Sequence, residues 1–401
     1  MSEKPLKLGW KLVKFGDVVR NTNLVERDPV TNGIERIVGL EHLDPENLHI
    51  RRWMSSSEDA TSFSRKFIPG QTLFGKRRTY QRKVAYAEFE GICSGDILTF
   101  ETKDRNILLP ELLPFICQSE AFFDYALGTS AGSLSPRTSW TALKDFEFPL
   151  PPIRDQKRIA EILWAVNETL EKWIAVFQQQ KVLFHIFSVN NFLLHEAIKK
   201  NPLIPERWSI GFITDLVRLD PKLPKDLSNF MEISFVPMEN VLERGGISKK
   251  EIKILAEVRT GYTYFAEGDI LFAKITPCME NNKGAVAEGL TNRIGMGSTE
   301  FFVLSPKNIS DTNFVYYLSM SKIYRKKAER WMQGSAGQLR VPRDFFEKKP
   351  IIVPPAQERA NIGHMLRSLD ESTKAIAQHI EVLNYLQKKI LNKLVNSIDI
   401  N

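Results

Sequence analysis

Pro151-Pro152 recurs as Pro354-Pro355, 203 positions downstream, and the residues around the two pairs recur with them. At the same offset Ile159, Leu163, Val166 and Glu168 fall on Ile362, Leu366, Leu369 and Glu371. Upstream, Ser130-Ala131-Gly132 returns as Ser335-Ala336-Gly337, Leu134 as Leu339, and Pro136-Arg137 as Pro342-Arg343. Near the start of each half, Trp10, Asp17 and Leu40-Glu41 meet Trp208, Asp215 and Met238-Glu239 at offset 198. Phe67, Gly70, Leu73, Phe74 and Lys76 meet Phe265, Gly268, Leu271, Phe272 and Lys274 at that offset too. Ser94 pairs with Ser298 at offset 204, so short insertions explain the drift. A period this long excludes a solenoid and marks a whole module present twice in 401 residues.

Both halves share one grammar. Each opens with a mixed stretch, residues 1–150 and 201–352. Short strand-like runs (Arg36–Leu40, Gln71–Phe74, Ile97–Phe100, Asp269–Phe272, Glu300–Leu304) are punctuated there by Gly, Pro and Asn. A helical pattern over Asn313–Arg330 interrupts them. Then comes Pro-Pro, which opens a helix but cannot continue one. After it each half ends in a long segment, 151–200 and 353–401, with no proline inside its repeat. In the second, Ile362, Leu369, Ile376, Leu383 and Ile390 recur every seven residues, with Leu366, Ile380 and Leu394 on a second line. In the first the lines are Ile159, Val166, Trp173, Gln180, Phe187 and Leu163, Leu170, Phe177, Phe184. A strict seven-residue stripe predicts supercoiled helices, each on the order of 65 Å long at about 1.5 Å per residue. Neither stripe is stable alone in water, so each needs the other, a partner protein, or its own module. Antiparallel packing would put the modules at opposite ends of a rod; parallel packing would crowd them at one end.

Composition bounds the chemistry. Hydrophobic content of 43% supports real cores, and 26% charged residues is ordinary for a soluble chain. No run approaches the 18 or so apolar residues of a membrane span. Met1 to Trp10 is polar and lysine-rich, so no secretory leader is expected. Cys93, Cys117 and Cys278 form no paired spacing, which fits a reducing cytoplasm. The net charge of +7 is unevenly placed. Residues 51–83 hold Arg51, Arg52, Arg65, Lys66, Lys76, Arg77, Arg78, Arg82 and Lys83 against Glu58 and Asp59. Residues 321–343 hold Lys322, Arg325, Lys326, Lys327, Arg330, Arg340 and Arg343 against Glu329. Basic clusters on a balanced chain point to a polyanion.

Motifs of catalysis are missing. Gly70 to Lys76 has phosphate-loop spacing, but Arg77 stands where Mg²⁺ needs Ser or Thr, and the second copy has Ala273 for the second glycine. A glycine turn entering a strand explains both copies. His42, His49, His185, His195, His364 and His379 have no metal-ligand spacing, and no Gly-x-Ser-x-Gly elbow is present. The amino-methyltransferase box is absent too: Asn201-Pro202 is followed by Leu203. A duplicated, basic chain of this kind reads as a binding and scaffolding subunit.

The string Phe148-Pro149-Leu150-Pro151-Pro152-Ile153-Arg154-Asp155-Gln156-Lys157-Arg158-Ile159, its copy Val353-Pro354-Pro355-Ala356-Gln357-Glu358-Arg359, the Ser-Ala-Gly…Pro-Arg strings and the duplication together resemble the specificity (S) subunit of type I restriction–modification systems. The second copy departs from the family's acidic-Gln pair at Glu358-Arg359 and has no match for Pro149. The resemblance implies an α+β fold. Two target-recognition domains of small twisted sheets and helices (1–150 and 201–352) are joined by two conserved helical regions (151–200 and 353–401) as an antiparallel coiled coil. It implies double-stranded DNA as ligand, with each domain reading half of a split asymmetric site. Two methyltransferase (M) subunits would bring S-adenosylmethionine, and restriction (R) subunits ATP and Mg²⁺, with no cofactor in this chain. A modification-only system, a stand-alone DNA-binding adaptor, and a self-sufficient nuclease or methyltransferase are the alternatives.

The expected DNA-binding residues follow from charge and from the loops after the matched strands. In the first module they are Arg51, Arg52, Arg65, Lys66, Lys76, Arg77, Arg78, Arg82 and Lys83; in the second, Lys274, Lys283, Arg325, Lys326, Lys327 and Arg330. Most are expected on phosphate, which positions without specifying. Tyr80, Gln81, Asn281 and Asn282 are the expected base-edge readers. Arg137 and Arg343 are either phosphate contacts or structural partners of a nearby carboxylate. Trp164, Trp173, Phe184 and Phe192 either face a partner subunit or pack the helices on their own modules.

Overall fold

The computed structural model describes residues 6–56, 63–132, 135–192, 205, 207–243, 245–335 and 337–395, with the side chains of 189–192 excepted. Glu58, Asp59, Leu134, His195, Ala336 and the expected helix beyond Phe192 lie outside the described residues, as does the side chain of Phe192. The chain forms two compact units. One is Met1–Ala175 with Gln378–Asn401; the other is Val176–Ala377. Each therefore takes part of both long helices, Ile153–Phe192 and Ala356–Val395, rather than ending where they begin.

Within the first unit, strands Val19–Thr22, Ile97–Thr102, Thr72–Gly75 and Val84–Tyr86 lie side by side in that order, all antiparallel. A second sheet runs Met54–Ser55, Arg36–Val38, Gly91–Cys93, Arg65–Phe67, with one parallel pair, Arg36–Val38 on Gly91–Cys93. Lys11–Lys14 pairs with Glu147–Leu150 and ties the module's start to its end. The second unit repeats every feature. Its first sheet is Val217–Leu219, Phe301–Pro306, Ile270–Ala273, Gly284–Val286, and its second is Glu251–Ile254, Glu232–Val236, Ile294–Gly297, Thr263–Ala266. Ser209–Gly211 closes on Ile351–Val353. The duplication in sequence is thus a duplication of fold.

The central strands bury both sheet faces, so their apolar residues divide between two cores. Along Thr72–Gly75, Phe74 joins one core with Leu98 and Phe100, while Leu73 joins another with Ile97 and Ala85. The copies behave alike: Phe272 packs with Phe302 and Leu304, Leu271 with Ala285 and Val303. Gly70 and Gly268 both have positive φ, +89° and +87°, and turn the chain into these strands. The helical stretch expected over Asn313–Arg330 is two helices, Thr312–Met320 and Lys322–Glu329. Extended Ser321 breaks them, and its hydroxyl caps the second at the Tyr324 N–H.

Every residue on the predicted seven-residue lines of Ile153–Phe192 is at least partly buried, whereas Ile162, Ile174, Val182, Leu183 and Ile186, off those lines, are exposed. Pairing is antiparallel in both units. In the first, Leu391, Leu394 and Val395 from the end of one helix share a core with Ala160 and Leu163 from the start of the other, and Trp173 stacks on His379 at 5.2 Å. In the second, Phe184 and Phe187 pack against the core holding Ile362 and Leu366. Of the helix aromatics, Trp164 packs on the module preceding its helix, whereas Phe184 packs on the other module and Trp173 on the second long helix. Trp164 donates to the Glu111 carbonyl and meets Tyr86 and Phe115, and Phe184 meets Tyr317. Among the described residues no helix is long and apolar enough to cross a membrane.

Candidate nucleic-acid interface

The loops after the matched strands, 77–83 and 276–283, are held by one backbone frame. Gly75 N–H donates to Lys83 O, and Ala273 N–H to Lys283 O. Lys76 N–H donates to Asp96 O while Lys76 O accepts from Thr138 N–H; Lys274 N–H donates to Glu300 O while Lys274 O accepts from Val341 N–H. Arg77 bridges Arg137 as Ile275 bridges Arg340. The repeat counterpart of Arg137 is therefore Arg340, not Arg343 as the Pro-Arg strings suggested. Arg137 Nη2 lies 3.4 Å from Asp96, and Arg340 Nη2 lies 2.8 Å from Glu300. Arg343 pairs with Glu347 and Asp220, the local role open to it in the sequence.

Lys83 and Lys283 donate to the carbonyls of Leu40 and Met238, themselves matched residues. They latch the loops to their own modules, and burial pushes the Lys83 ammonium below its ordinary pKa. Arg51 is paired with Glu171, Arg52 with Asp44 and Lys66 with Glu90. Arg82 pairs with Glu120 at 2.6 Å and lies over the Phe123 ring. These cations already have protein partners. Arg78 and Tyr80 are exposed at the loop apex and Gln81 is half-buried beside them. Arg78 and Arg82, both with φ near +53°, bracket the turn Thr79–Gln81.

In the second unit Lys326 and Arg330 are exposed, Lys327 is half-buried, and Lys274 lies over Phe302 at 5.0 Å. Asn281 donates to Glu243, while Asn282 has φ +60° and a buried Oδ1 with no partner. Arg325 requires a correction. It is 5% exposed, donates to the carbonyls of Ser319, Met279 and Lys283, and stacks on Phe272 at 3.8 Å. Its donors are consumed inside the protein, so it braces the loop from beneath and cannot meet a phosphate. Charge counting missed this because Arg325 sits on the buried face of an otherwise basic helix. The first module solves the same junction in reverse: Arg82 reaches down from the loop to the helix residues Glu120 and Phe123.

Sequence reasoning also missed Asp96, on which Arg77 (3.3 Å) and Arg137 converge. The signal was present, since the Ser94–Ser298 match extends to Asp96 and Glu300 at the same offset of 204. Among the described residues no group of three or more His, Cys, Asp or Glu is placed to hold a metal ion.

The family model described as the type I restriction modification DNA specificity domain matches twice, over residues 9–175 and 205–385. The type I restriction enzyme EcoEI specificity subunit of Escherichia coli is 44% identical over 162 residues, 40% of this chain and 27% of that protein. The chain thus aligns with about a quarter of that relative's length. The MjaVIII specificity subunit of Methanocaldococcus jannaschii is 24% identical over 326 residues, 76% of this chain and 74% of that one. The crystal structure of a type I restriction-modification system S subunit from M. genitalium has the same fold. Its TM-score is 0.62 at 15% identity, covering 97% of this chain and 96% of that one.

Proposed function

Because the chain belongs to the type I restriction modification DNA specificity family, we propose that it selects the DNA sequence at which a type I restriction–modification enzyme acts. Each module reads one half of a split, asymmetric duplex site, and the paired helices fix the unread gap between halves. Methyl transfer to adenine N6 from S-adenosylmethionine belongs to two M subunits docked on the helices. ATP-driven cleavage belongs to R subunits. This chain is the non-catalytic reader, working in the cytoplasm where the DNA lies.

The observation that carries this reading is one loop frame with two different contents. Hydrogen bonds at 75–83 and 273–283, at 76–96 and 274–300, and at the two lysine latches are matched between units. Yet the frames present Arg77-Arg78-Thr79-Tyr80-Gln81-Arg82 in one module and Ile275-Thr276-Pro277-Cys278-Met279-Glu280-Asn281-Asn282 in the other. A fold that reads two unlike half-sites needs a constant scaffold and variable side chains, since base edges are discriminated by donor and acceptor pattern. Tyr80, Gln81 and Asn282 are the proposed readers, and Arg78 beside them is proposed to hold phosphate. Lys326, Lys327 and Arg330 are proposed to hold phosphate in the second module.

The test is to express the chain with an adenine-N6 M subunit in cells lacking adenine methylation and to sequence the methylated sites. A split motif is expected, and exchanging residues 1–150 for those of another family member should change one half only. Methylation without a motif that depends on this chain overturns the reading.

A further inference from the structure

In the first unit Asn23–Val25, Phe63–Arg65 and Ser94–Asp96 wall a cleft of about 570 Å³. Among the described residues its charges are unbalanced. Asp96 lines it and is shared by two guanidiniums, Arg77 Nη1 at 3.3 Å and Arg137 Nη2 at 3.4 Å. Two cations on one carboxylate at those distances keep donors to spare. Arg65 also lines the cleft, and its Nη1 is buried with no hydrogen-bond partner. An unpaired buried guanidinium N–H is costly, and an arriving anion removes that cost. Lys76 stands close by: burial first, then Arg65 and Arg137, push its ammonium below the ordinary lysine pKa, while Asp96 opposes them. Arg77 and Arg137 thus meet on Asp96 at one edge of the cleft, Arg65 lines it, and Lys76 feels the charges of Arg65, Asp96 and Arg137.

The second unit keeps the frame and loses the surplus. Thr263 and Ile275 stand at the repeat positions of Arg65 and Arg77. Arg340, the counterpart of Arg137, is forked onto Glu300 through Nε and Nη2 at 2.8 to 3.2 Å, which leaves its charge neutralised.

We propose that the first module's cleft is a phosphate clamp: a DNA backbone phosphate is held by Arg65, Arg77 and Arg137, and the second module has no counterpart. The two half-sites are therefore gripped unequally. Asp96 spaces the guanidiniums when no phosphate is present. This rests on the DNA-specificity reading, and phosphate chemistry, not base identity, is what the clamp recognises.

The experiment is a KCl series of fluorescence-anisotropy titrations of the full chain with a random-sequence duplex. Arg65→Gln with Arg137→Gln should lower the slope of log affinity against log salt by roughly one, the single phosphate the clamp holds. Arg340→Gln in the second module should leave it within roughly half a unit of wild type. Asp96→Asn supplies a control that misfolding cannot imitate: it should tighten binding by roughly threefold or more at low salt. An unchanged slope in the double variant, or weaker binding by Asp96→Asn, overturns the clamp. Absence of salt-dependent binding by the wild-type chain overturns the DNA reading beneath it.

Discussion

A charge near a loop is not a charge facing solvent. Arg325 and Arg78 both belong to basic clusters, but one is buried under carbonyls and the other is exposed. Truncation should separate them. Arg325→Ala removes three carbonyl hydrogen bonds and a stacked ring, costing on the order of 3 kcal/mol in chemical denaturation. Arg78→Ala should leave stability alone and lower the salt slope of DNA binding by about one. Equal melting of the two variants would contradict the placement of Arg325. Asp269 makes a pH prediction. It is buried at the position matched by Gln71, and each accepts the backbone N–H three residues earlier, Ala266 and Ile68. Burial raises the Asp269 carboxyl above its ordinary value. The folded chain then holds a proton that the unfolded chain has released, so stability falls as pH rises through the carboxylate range and stays lower above it. Asp269→Asn keeps the acceptor without the charge. It should be the more stable protein at neutral pH, with the difference vanishing near pH ~3.8 and below; urea melts at the two pH values decide.

At the scale of elements, the starts of the two long helices show one joint built with two chemistries. Gln156 donates to Pro151 O and Ile107 O and accepts from Leu109 N–H. At the matched position, Arg359 donates to Pro354 O and forks onto buried Asp311 at 2.9 Å through both arms. The departure of Glu358-Arg359 from the family's acidic-Gln pattern is therefore compensated by Asp311, whose carboxylate takes the arginine where the first half offers Gln156 the carbonyl of Ile107. Nearby, Gly363 lets the helix lie against the backbone of Thr312–Met320; a Cβ there would come within 2.7 Å of the Phe314 nitrogen. Arg359→Gln alone strands a buried carboxylate and should cost about 3–5 kcal/mol. Adding Asp311→Leu, which removes the stranded carboxylate, should recover most of that. A double variant as unstable as the single one would mean that the stranded carboxylate is not the cause.

For the whole molecule, the prediction concerns length. On the proposed reading, the paired helices set how far apart two half-sites lie. Removing seven residues from each within its repeat keeps the stripe and shortens it by about 10 Å, roughly three base pairs at 3.4 Å each. Sequencing of methylated sites should show the same half-sites around a shorter gap; an unaltered gap rules out the ruler role.

Much of this architecture was legible from residue order. The Pro-Pro pairs, the seven-residue lines and the matched Phe67…Lys76 and Phe265…Lys274 series are local or periodic signals. Burial of a stripe or of a strand's two faces imposes such patterns directly on the chain. Helix direction, the pairing of Arg137 with Arg340 rather than Arg343, and the burial of Arg325 were settled only by the tertiary structure. Each depends on which distant groups meet. A guanidinium has the same sequence signature whether its donors find a carbonyl, a carboxylate or a phosphate.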